Sequence, residues 1–302
     1  MNNVESSSSV GQLERFLLSI CMVTCDQERA SNYIAHHSIA FAHADIENLI
    51  FCPPSMVSSL ERTATAASWR YRILSDDISS GPGRKRNALL RSAQGRFCMF
   101  LDDDSLLESP VESLATLLQQ LTEPGREWVL TTAVYVDNLL RRREEPPKPF
   151  SLRGPGSGIE WNQAFSRSLL LAEGGWHEEF CVGEKWRAGE ALILMVRLWR
   201  KGLVPALVAS VKVQHPAQVD ESDLASLAKV RRYRYAVGAV IAQEAPTFGA
   251  FGVAVWVARC MLLAPIAGLL DLARGRKLNG LVRLASPLDF ARGFYARLLA
   301  GA

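Results

Sequence analysis

The sequence predicts an α/β fold in which helices cover a largely parallel β-sheet. From Phe16 to Gln214, short apolar runs alternate with segments of helical periodicity, as in strand–helix–strand units. Apolar residues make up 48% and charged residues 22% of the chain, which excludes a disordered chain, a collagen and a disulfide scaffold. The 302 residues fit one large domain with an appendage, or two modest domains.

The first hundred residues contain four predicted strands, each a short apolar run. They are Phe16–Thr24, Asn48–Cys52, Tyr71–Leu74 and Arg96–Leu101. A helix is predicted over Glu28–Ala42, and Pro53 and Pro54 end the second strand because proline cannot donate to a sheet. A further helix is predicted over Lys85–Gln94 and ends at Gly95.

A capped amphipathic helix is predicted to begin at Ser109. Ser109 can cap the helix, Pro110 suits its first turn, and Glu112 can complete a capping box. The expected apolar face consists of Val111, Leu114, Leu117, Leu118 and Leu121.

The rest of the body continues the alternation. A strand is predicted over Glu127–Val136, a polar loop over Arg141–Phe150, a helix over Leu192–Arg200 and a strand over Leu207–Gln214. We expect three regions: a flexible leader over residues 1–12, an α/β domain over 13–225 and a helical tail over 226–302.

Charge divides the chain into an acidic body and a basic tail. From Lys229 onward there are 11 Lys and Arg against 3 Asp and Glu, whereas residues 1–228 carry 23 against 28. The six cysteines are scattered without a metal-binding pattern, and the first residues lack the features of an export signal, so a reduced, cytoplasmic chain is expected.

Three consecutive carboxylates, Asp102, Asp103 and Asp104, directly follow the apolar strand RFCMFL. The carboxyl ends of strands are where open α/β sheets bind ligands. Adjacent carboxylates repel one another, so a divalent cation shared with a diphosphate would compensate them. The alternative is a solvated acidic turn that caps the next segment.

A basic turn, GPGRKRN over residues 81–87, opens the helix that precedes the acidic triplet. Backbone N–H groups at a helix start, together with three cations, favour an anion such as phosphate. The spacing is not that of a Walker loop, and a solvated basic loop is the alternative.

A third segment, GGWHEEF over residues 174–180, precedes AGEALILMVRLWRKG and then VKVQHP. Taken in order with GPGRKRNALLRSAQGRFCMFLDDDS, these segments resemble an inverting family 2 glycosyltransferase of the bacterial surface-polysaccharide type. The resemblance covers Phe16 to His215, about two thirds of the chain. It implies a GT-A fold with a Rossmann-like, mostly parallel sheet, and an enzyme that transfers a sugar from a nucleotide donor.

The resemblance also implies roles for individual residues. Asp102 and Asp104 match the metal-binding DxD carboxylates, with Mn²⁺ or Mg²⁺ as the cofactor, and His215 matches a position where some relatives place a histidine near the metal. A structural role for this strand-end histidine is the alternative. The donor side would comprise Thr24, Arg86, Asn87, Asp102 and Asp103, and the acceptor side Trp161, Asn162, Trp176, His177 and Glu178.

Two positions depart from the family pattern. The turn after the second strand reads Cys52-Pro53-Pro54-Ser55 and lacks the usual carboxylate that contacts the nucleobase or ribose. The family's Gly-Glu-Asp is Gly189-Glu190-Ala191, so the usual general base is absent. Glu190, one residue away, is the expected substitute, and stabilisation of the helix dipole is its alternative role.

The tail contains the most apolar stretch of the chain, Thr247–Leu270, which is interrupted by Arg259 and Pro265. A central arginine disfavours a lone spanning helix, so we expect an interfacial or re-entrant hairpin whose flanking arginines meet anionic lipid. Packing on the body or in a homodimer is the alternative. Nucleic acid is not expected, because the positive charge lies among apolar residues.

The resemblance therefore implies a metal-assisted transferase, with a UDP-sugar as the preferred donor and a lipid-linked or growing glycan as acceptor. It would lie on the cytoplasmic face of the membrane and act in exopolysaccharide synthesis. A degenerate, non-catalytic scaffold in a membrane assembly is the main alternative, because Ala191 replaces the base. A sugar-phosphate nucleotidyltransferase is disfavoured, since no glycine-rich loop follows the first strand.

Overall fold

The computed structural model describes residues 14–76, 81–136, 160–216 and 224–301. The proposed leader and the polar loop Arg141–Phe150 lie outside these ranges. Within these ranges, eight strands form one sheet, namely β1 Phe16–Val23, β2 Ile46–Cys52, β3 Tyr71–Ser75, β4 Gly95–Asp102, β5 Leu106–Leu107, β6 Trp128–Val136, β7 Gln163–Ser166 and β8 Ala206–Pro216.

The strand order is β3-β2-β1-β4-β7-β6-β8-β5, and the sheet is mixed but mostly parallel. Strands β3, β2, β1 and β4 are parallel, as are β6 and β8, whereas β7 is antiparallel to both of its neighbours and β5 to β8. Since β7 is antiparallel to both β4 and β6, β6 runs in the same direction as β4. Strand β8, which is parallel to β6, therefore also runs in the direction of β4. The carboxyl ends of β1, β4 and β8 therefore lie at one edge of the sheet.

Helices cover both faces of the sheet. The body helices are α1 Gln27–His36, α2 Ser38–Phe41, α3 Val57–Ala66, α4 Pro82–Ser92, α5 Pro110–Thr122, α6 Arg167–Ala172 and α7 Glu190–Arg200. One face buries α1, α3 and α5 through Ala30, Leu60 and Leu114. The opposite face buries α4 and α7 through Leu89 and Leu194. This three-layer arrangement confirms the predicted α/β fold.

Three local predictions were wrong. Ser109 adopts a left-handed conformation, with φ 47°, instead of the extended backbone that places an N-cap side chain against the helix N–H groups, and it makes no capping hydrogen bond. Val111, assigned to the apolar face of this helix, is 51% exposed, while the four leucines of that face are buried. The single helix expected over Glu28–Ala42 is divided at His37.

The described part of the tail, residues 224–301, folds into four α-helices that pack on the body. They are α8 Leu224–Gln243, α9 Ala245–Ala258, α10 Ala264–Ala273 and α11 Lys277–Gly301, with a π-helical turn over Arg259–Leu263. Ile241, Trp256 and Phe290 share a buried cluster with Val196 of α7. Ala239 and Val240 share a second cluster with Phe180 and Ile193.

The apolar stretch of the tail forms consecutive helical segments, with a kink at Gly249, rather than a hairpin of its own. By length and composition, Gly249–Ala273 is long and apolar enough to cross a membrane, with mean hydropathy 2.0. The chain reverses only after α10, near Gly275, where α11 begins to fold back. Arg259 lies within 5.1 Å of the Trp256 ring, so this aromatic contact accommodates its charge.

Candidate donor and metal site

Asp102, Asp103 and Asp104 lie where β4 ends, beside the carboxyl end of β1. Thr24 follows β1 directly, and its hydroxyl donates to Asp103 Oδ2 at 2.6 Å. Burial raises the pKa of Asp103, and the neighbouring carboxylates add to the effect while Thr24 opposes it. Asp103 therefore joins the ends of two strands, and Asp102 and Asp104 are the carboxylates directed toward β8.

His215 lies near the end of β8 and approaches both of these carboxylates. Its Nε2 is 3.1 Å from Asp104 Oδ1 and 3.9 Å from Asp102 Oδ2. Burial opposes protonation of His215, but hydrogen bonds to Asp104 and the Pro216 carbonyl outweigh it and raise its pKa. Burial alone would raise the pKa of Asp104. The hydrogen bond and the positive charge of His215 outweigh burial, so the pKa of Asp104 is lowered.

The same three side chains could hold a divalent cation. One ligand atom from each of Asp102, Asp104 and His215 lies within 4.8 Å of the other two. The Nδ1 of His215 donates to the Pro216 carbonyl at 2.7 Å, so a metal would be bound through Nε2, in place of the contact of Nε2 with Asp104. Two carboxylates and one imidazole suit Mn²⁺, so the residues fit the expected cofactor.

Trp161 and Asn162 are fully buried beneath this cluster. The indole of Trp161 stacks on the His215 ring, with 4.8 Å between centroids and 15° between planes. Asn162 donates to the Thr131 carbonyl at 2.7 Å and thereby ties the segment to β6. The structure places these two predicted acceptor-side residues in the core, where they support His215. Their direct contact with an acceptor stays a prediction.

Arg86 is a buried cation that bridges two carboxylates from distant parts of the chain. Its Nη2 donates to Asp102 Oδ1 at 3.0 Å and its Nη1 to Glu190 Oε1 at 3.3 Å, while its guanidinium lies 5.4 Å from the Trp176 ring. Because Asp102 uses Oδ1 for Arg86, its Oδ2 faces His215. Arg86 therefore orients the Asp102 carboxylate and offsets the charge of Glu190.

Asn87 joins α4 to the segment GGWHEEF. Its amide accepts from the Trp176 backbone N–H at 2.8 Å and donates to the Trp176 carbonyl at 2.9 Å. The same amide nitrogen lies 3.1 Å from Glu178 Oε1, and Glu178 also pairs with Arg84. His177 points to the tail, where it contacts Gln243 of α8 at 3.3 Å. The structure thus brings Asn87, Trp176 and Glu178 together.

The basic turn uses its binding groups within the protein. The backbone N–H of Gly81 donates to Glu184 Oε1 at 2.8 Å, which places a carboxylate at the start of α4. Gly83 lies against Cys181 so closely that a Cβ would collide with its sulfur. Gly83 therefore allows close packing against Cys181, and Glu184 occupies the N–H of Gly81. Phosphate binding by the rest of this helix start stays a prediction.

Three further residues near the site were missed by sequence reasoning. Arg29 of α1 pairs with Asp104 Oδ2 at 3.4 Å. His37 accepts the Leu107 N–H at 3.1 Å, and His36 lies 2.9 Å from the Leu107 carbonyl, so adjacent imidazoles hold both backbone groups of Leu107 in β5. Because β5 follows the acidic turn, this clamp anchors one end of it. The His36-His37 pair was the available signal.

The buried imidazole of His37 makes stability depend on pH. Burial lowers its pKa from 6.5 to about 3. Between these values the unfolded chain binds a proton that the folded chain does not, so stability falls with falling pH by about 1.4 kcal/mol per unit. Urea unfolding gives the free energy of unfolding of the wild type and of His37→Gln at each pH. We expect the difference between the two free energies to change by about 2 kcal/mol, to the disadvantage of the wild type, from neutral pH to pH about 5.

His43→Gln is the control for this measurement, because His43 is exposed and its loss leaves the clamp intact. Its stability is expected to follow the wild type at both pH values. Parallel pH profiles for wild type and His37→Gln would contradict the role of the buried neutral imidazole.

Comparisons with known proteins identify the fold. No family model and no curated protein matches the sequence. Among solved structures, the mannosyltransferase PcManGT from Pyrobaculum calidifontis, in complex with GDP-Man and Mn²⁺, is similar with a TM-score of 0.61 and 14% identity, covering 96% of this chain and 89% of its own. TarS residues 1–349 from S. aureus gives 0.55 and 13%, covering 92% of each chain. The same TarS fragment in complex with UDP-GlcNAc gives 0.53 and 14%, again covering 92% of each chain. The chain therefore has the fold of the GT-A-type glycosyltransferases.

Proposed function

We propose that the protein is a glycosyltransferase that moves a sugar, with inversion and metal assistance, from a nucleotide-diphosphate donor to a lipid-linked or growing glycan. The observation that carries this proposal is the convergence of Asp102, Asp104 and His215 at the carboxyl edge of a GT-A-type sheet. Two proteins of similar fold are described as complexes with GDP-Man and Mn²⁺ and with UDP-GlcNAc, which supports a nucleotide-sugar donor.

On the donor side, the chain would hold the cation and the diphosphate at this edge. Asp102, Asp104 and His215 would hold Mn²⁺ or Mg²⁺, which would stabilise the charge that develops on the leaving diphosphate. Thr24 keeps Asp103 at the end of β1, and Arg86 turns Asp102 toward His215. These contacts preorganise the donor site before the donor arrives.

On the acceptor side, a carboxylate must accept the proton of the attacking hydroxyl. Glu190 is the candidate, because it opens α7 and its side chain connects through Arg86 to Asp102. Its carboxylate must act while it is hydrogen-bonded to Arg86 or after release from it. Such a base contributes about 10²–10⁴-fold to a rate. His177 and Glu178 remain the proposed acceptor-side contacts.

A non-catalytic scaffold is the second candidate. Two observations support it: Glu190 forms an ion pair with Arg86, and Ala191 stands at the position of the family's usual base. In that case the wild type would release no nucleoside diphosphate from any donor sugar. Ala191→Asp would then restore turnover if the donor site is intact.

The tail would place the enzyme on the cytoplasmic face of a membrane. Apolar side chains of α9, α10 and α11 are exposed, among them Phe251 at 79% and Leu299 at 78%. Contiguous exposed apolar surface marks an interaction site, and the interspersed arginines favour anionic lipid. Such a location suits synthesis of an exopolysaccharide.

The test is a calorimetric titration of the detergent-solubilised protein with UDP, GDP and CMP, with and without Mn²⁺. We expect one nucleotide to bind only with the metal, and Asp104→Asn to abolish that binding because a cation ligand is lost. Asp45→Asn removes an exposed carboxylate far from the site and serves as the control. Retained binding in Asp104→Asn, or no binding in the wild type, would refute the donor-site assignment.

A further inference from the structure

A basic cavity of about 500 Å³ lies between α8 and α11, next to the turn that leads into α7. Its charged lining comprises Arg187, Arg231, Arg232, Arg292 and Asp289. Arg187 is three residues before Glu190, so the segment that leads into α7 contributes to the wall of the cavity.

The charges that line this cavity are not balanced. Arg231 is neutralised by Asp289 through two hydrogen bonds of 2.8 and 3.0 Å. Within the described ranges, Arg187, Arg232 and Arg292 form no ion pair with a carboxylate. Three like charges around one concavity repel one another, and a multiply charged anion would relieve this. Guanidinium groups match the oxygens of phosphate in particular.

The walls of the cavity are held in place before any ligand binds. Arg187 has φ 68°, a left-handed conformation that is uncommon for a non-glycine residue, and its guanidinium lies 5.5 Å from the Tyr235 ring. Gly293 of α11 lies against the Tyr235 backbone so closely that no side chain would fit there. The two helices therefore keep a fixed spacing at the cavity.

An exposed apolar stripe on α11 passes through the same site. It consists of Leu281, Leu288, Tyr295 and Leu299, each more than half exposed. Arg292 follows Leu288 by four residues and precedes Tyr295 by three, so it lies on the same helical face. A ligand that satisfied both features would carry a phosphate and a hydrocarbon chain.

We propose that this cavity binds the phosphate or diphosphate of a lipid whose chain lies along the α11 stripe. The inference deepens the proposed function and rests on it for the role of that lipid as acceptor. Binding itself does not depend on the donor site, because none of the cavity residues contacts Asp102, Asp104 or His215 among the interactions described above.

The test measures co-sedimentation of the full chain with phosphatidylcholine vesicles that contain either phosphatidic acid, a phosphate monoester, or phosphatidylglycerol, a diester. We expect a preference for phosphatidic acid. The double variant Arg232→Gln/Arg292→Gln is expected to lose about tenfold or more in affinity for those vesicles, and with it the preference. The matched control Arg274→Gln/Lys277→Gln removes two tail charges outside the cavity and should retain the preference.

Several outcomes would overturn the proposal. They are an unchanged preference in the cavity variant, an equal loss of preference in the control, or tight binding of inorganic pyrophosphate that vesicles do not compete for. If the protein forms a stable dimer in the absence of vesicles, and the variant Leu288→Gln/Leu299→Gln abolishes that dimer, the stripe would be assigned to a second copy.

Metal-dependent nucleotide binding, measured on the same variants, should be unchanged. It confirms that they are folded and separates a failure here from a failure of the proposed function.

Discussion

Glu190→Gln is expected to slow release of nucleoside diphosphate from the donor sugar by about 10²–10⁴-fold. Glutamine keeps the shape of the side chain but cannot accept the proton of the attacking hydroxyl. Donor affinity should stay near that of the wild type, since Glu190 contacts Arg86 rather than the cluster Asp102, Asp104 and His215. The rate is followed with the nucleotide that the titration identifies, at saturating metal.

A matched control for this experiment is Glu112→Gln, which alters an exposed glutamate on α5 and should leave the rate unchanged. If Glu190 served only to hold Arg86, its replacement would weaken donor binding and slow turnover together. An unchanged rate in Glu190→Gln would remove Glu190 from the reaction altogether.

Arg86→Met is expected to destabilise the protein by about 3–5 kcal/mol, because it leaves the buried carboxylate of Glu190 and the partly exposed carboxylate of Asp102 without their shared cation. The side chains of Arg86 and Glu190 are only 6% and 5% exposed, so water cannot replace the lost contact. Urea unfolding at neutral pH measures the loss. Adding Glu190→Gln should recover part of it, since an amide tolerates burial better than an unpaired carboxylate.

The comparison is Arg84→Met, two residues earlier on the same helix. Arg84 pairs with Glu178, and both side chains are largely exposed, so its loss should cost less than about 1 kcal/mol. Equal losses in the two variants would show that the buried bridge contributes no more than a surface ion pair.

Much of the fold was predictable because its strands are short apolar runs. The four neighbouring strands β1, β2, β3 and β4 were all predicted, with bounds within one or two residues of those observed. Strands β5 and β7 were missed, since two and four residues carry no readable alternation. Helix α3 was missed as well, because its sequence VSSLERTATA is mostly polar and small.

The candidate site was predictable in its carboxylates but not in its connections. Three adjacent aspartates at a strand end are a local signal, whereas the pairing of Arg86 with Glu190 joins residues 104 positions apart. The stacking of Trp161 on His215 depends on the position of β8. The clamp of His37 on Leu107 depends on how the end of α1 lies against β5. Side-chain contacts of this kind follow from tertiary packing, which periodicity does not encode.

The position of α7 has a consequence for how the molecule unfolds. Leu194 and Leu198 of this helix belong to the core beneath the sheet, while Ile193 and Val196 belong to the clusters shared with α8, α9 and α11. The helix thus packs against both the body and the tail. Neither of these parts can lose its packing without exposing apolar surface of the other. Body and tail should melt in one cooperative transition, so a chain ending at residue 225 would be an incomplete folding unit rather than a trimmed soluble enzyme.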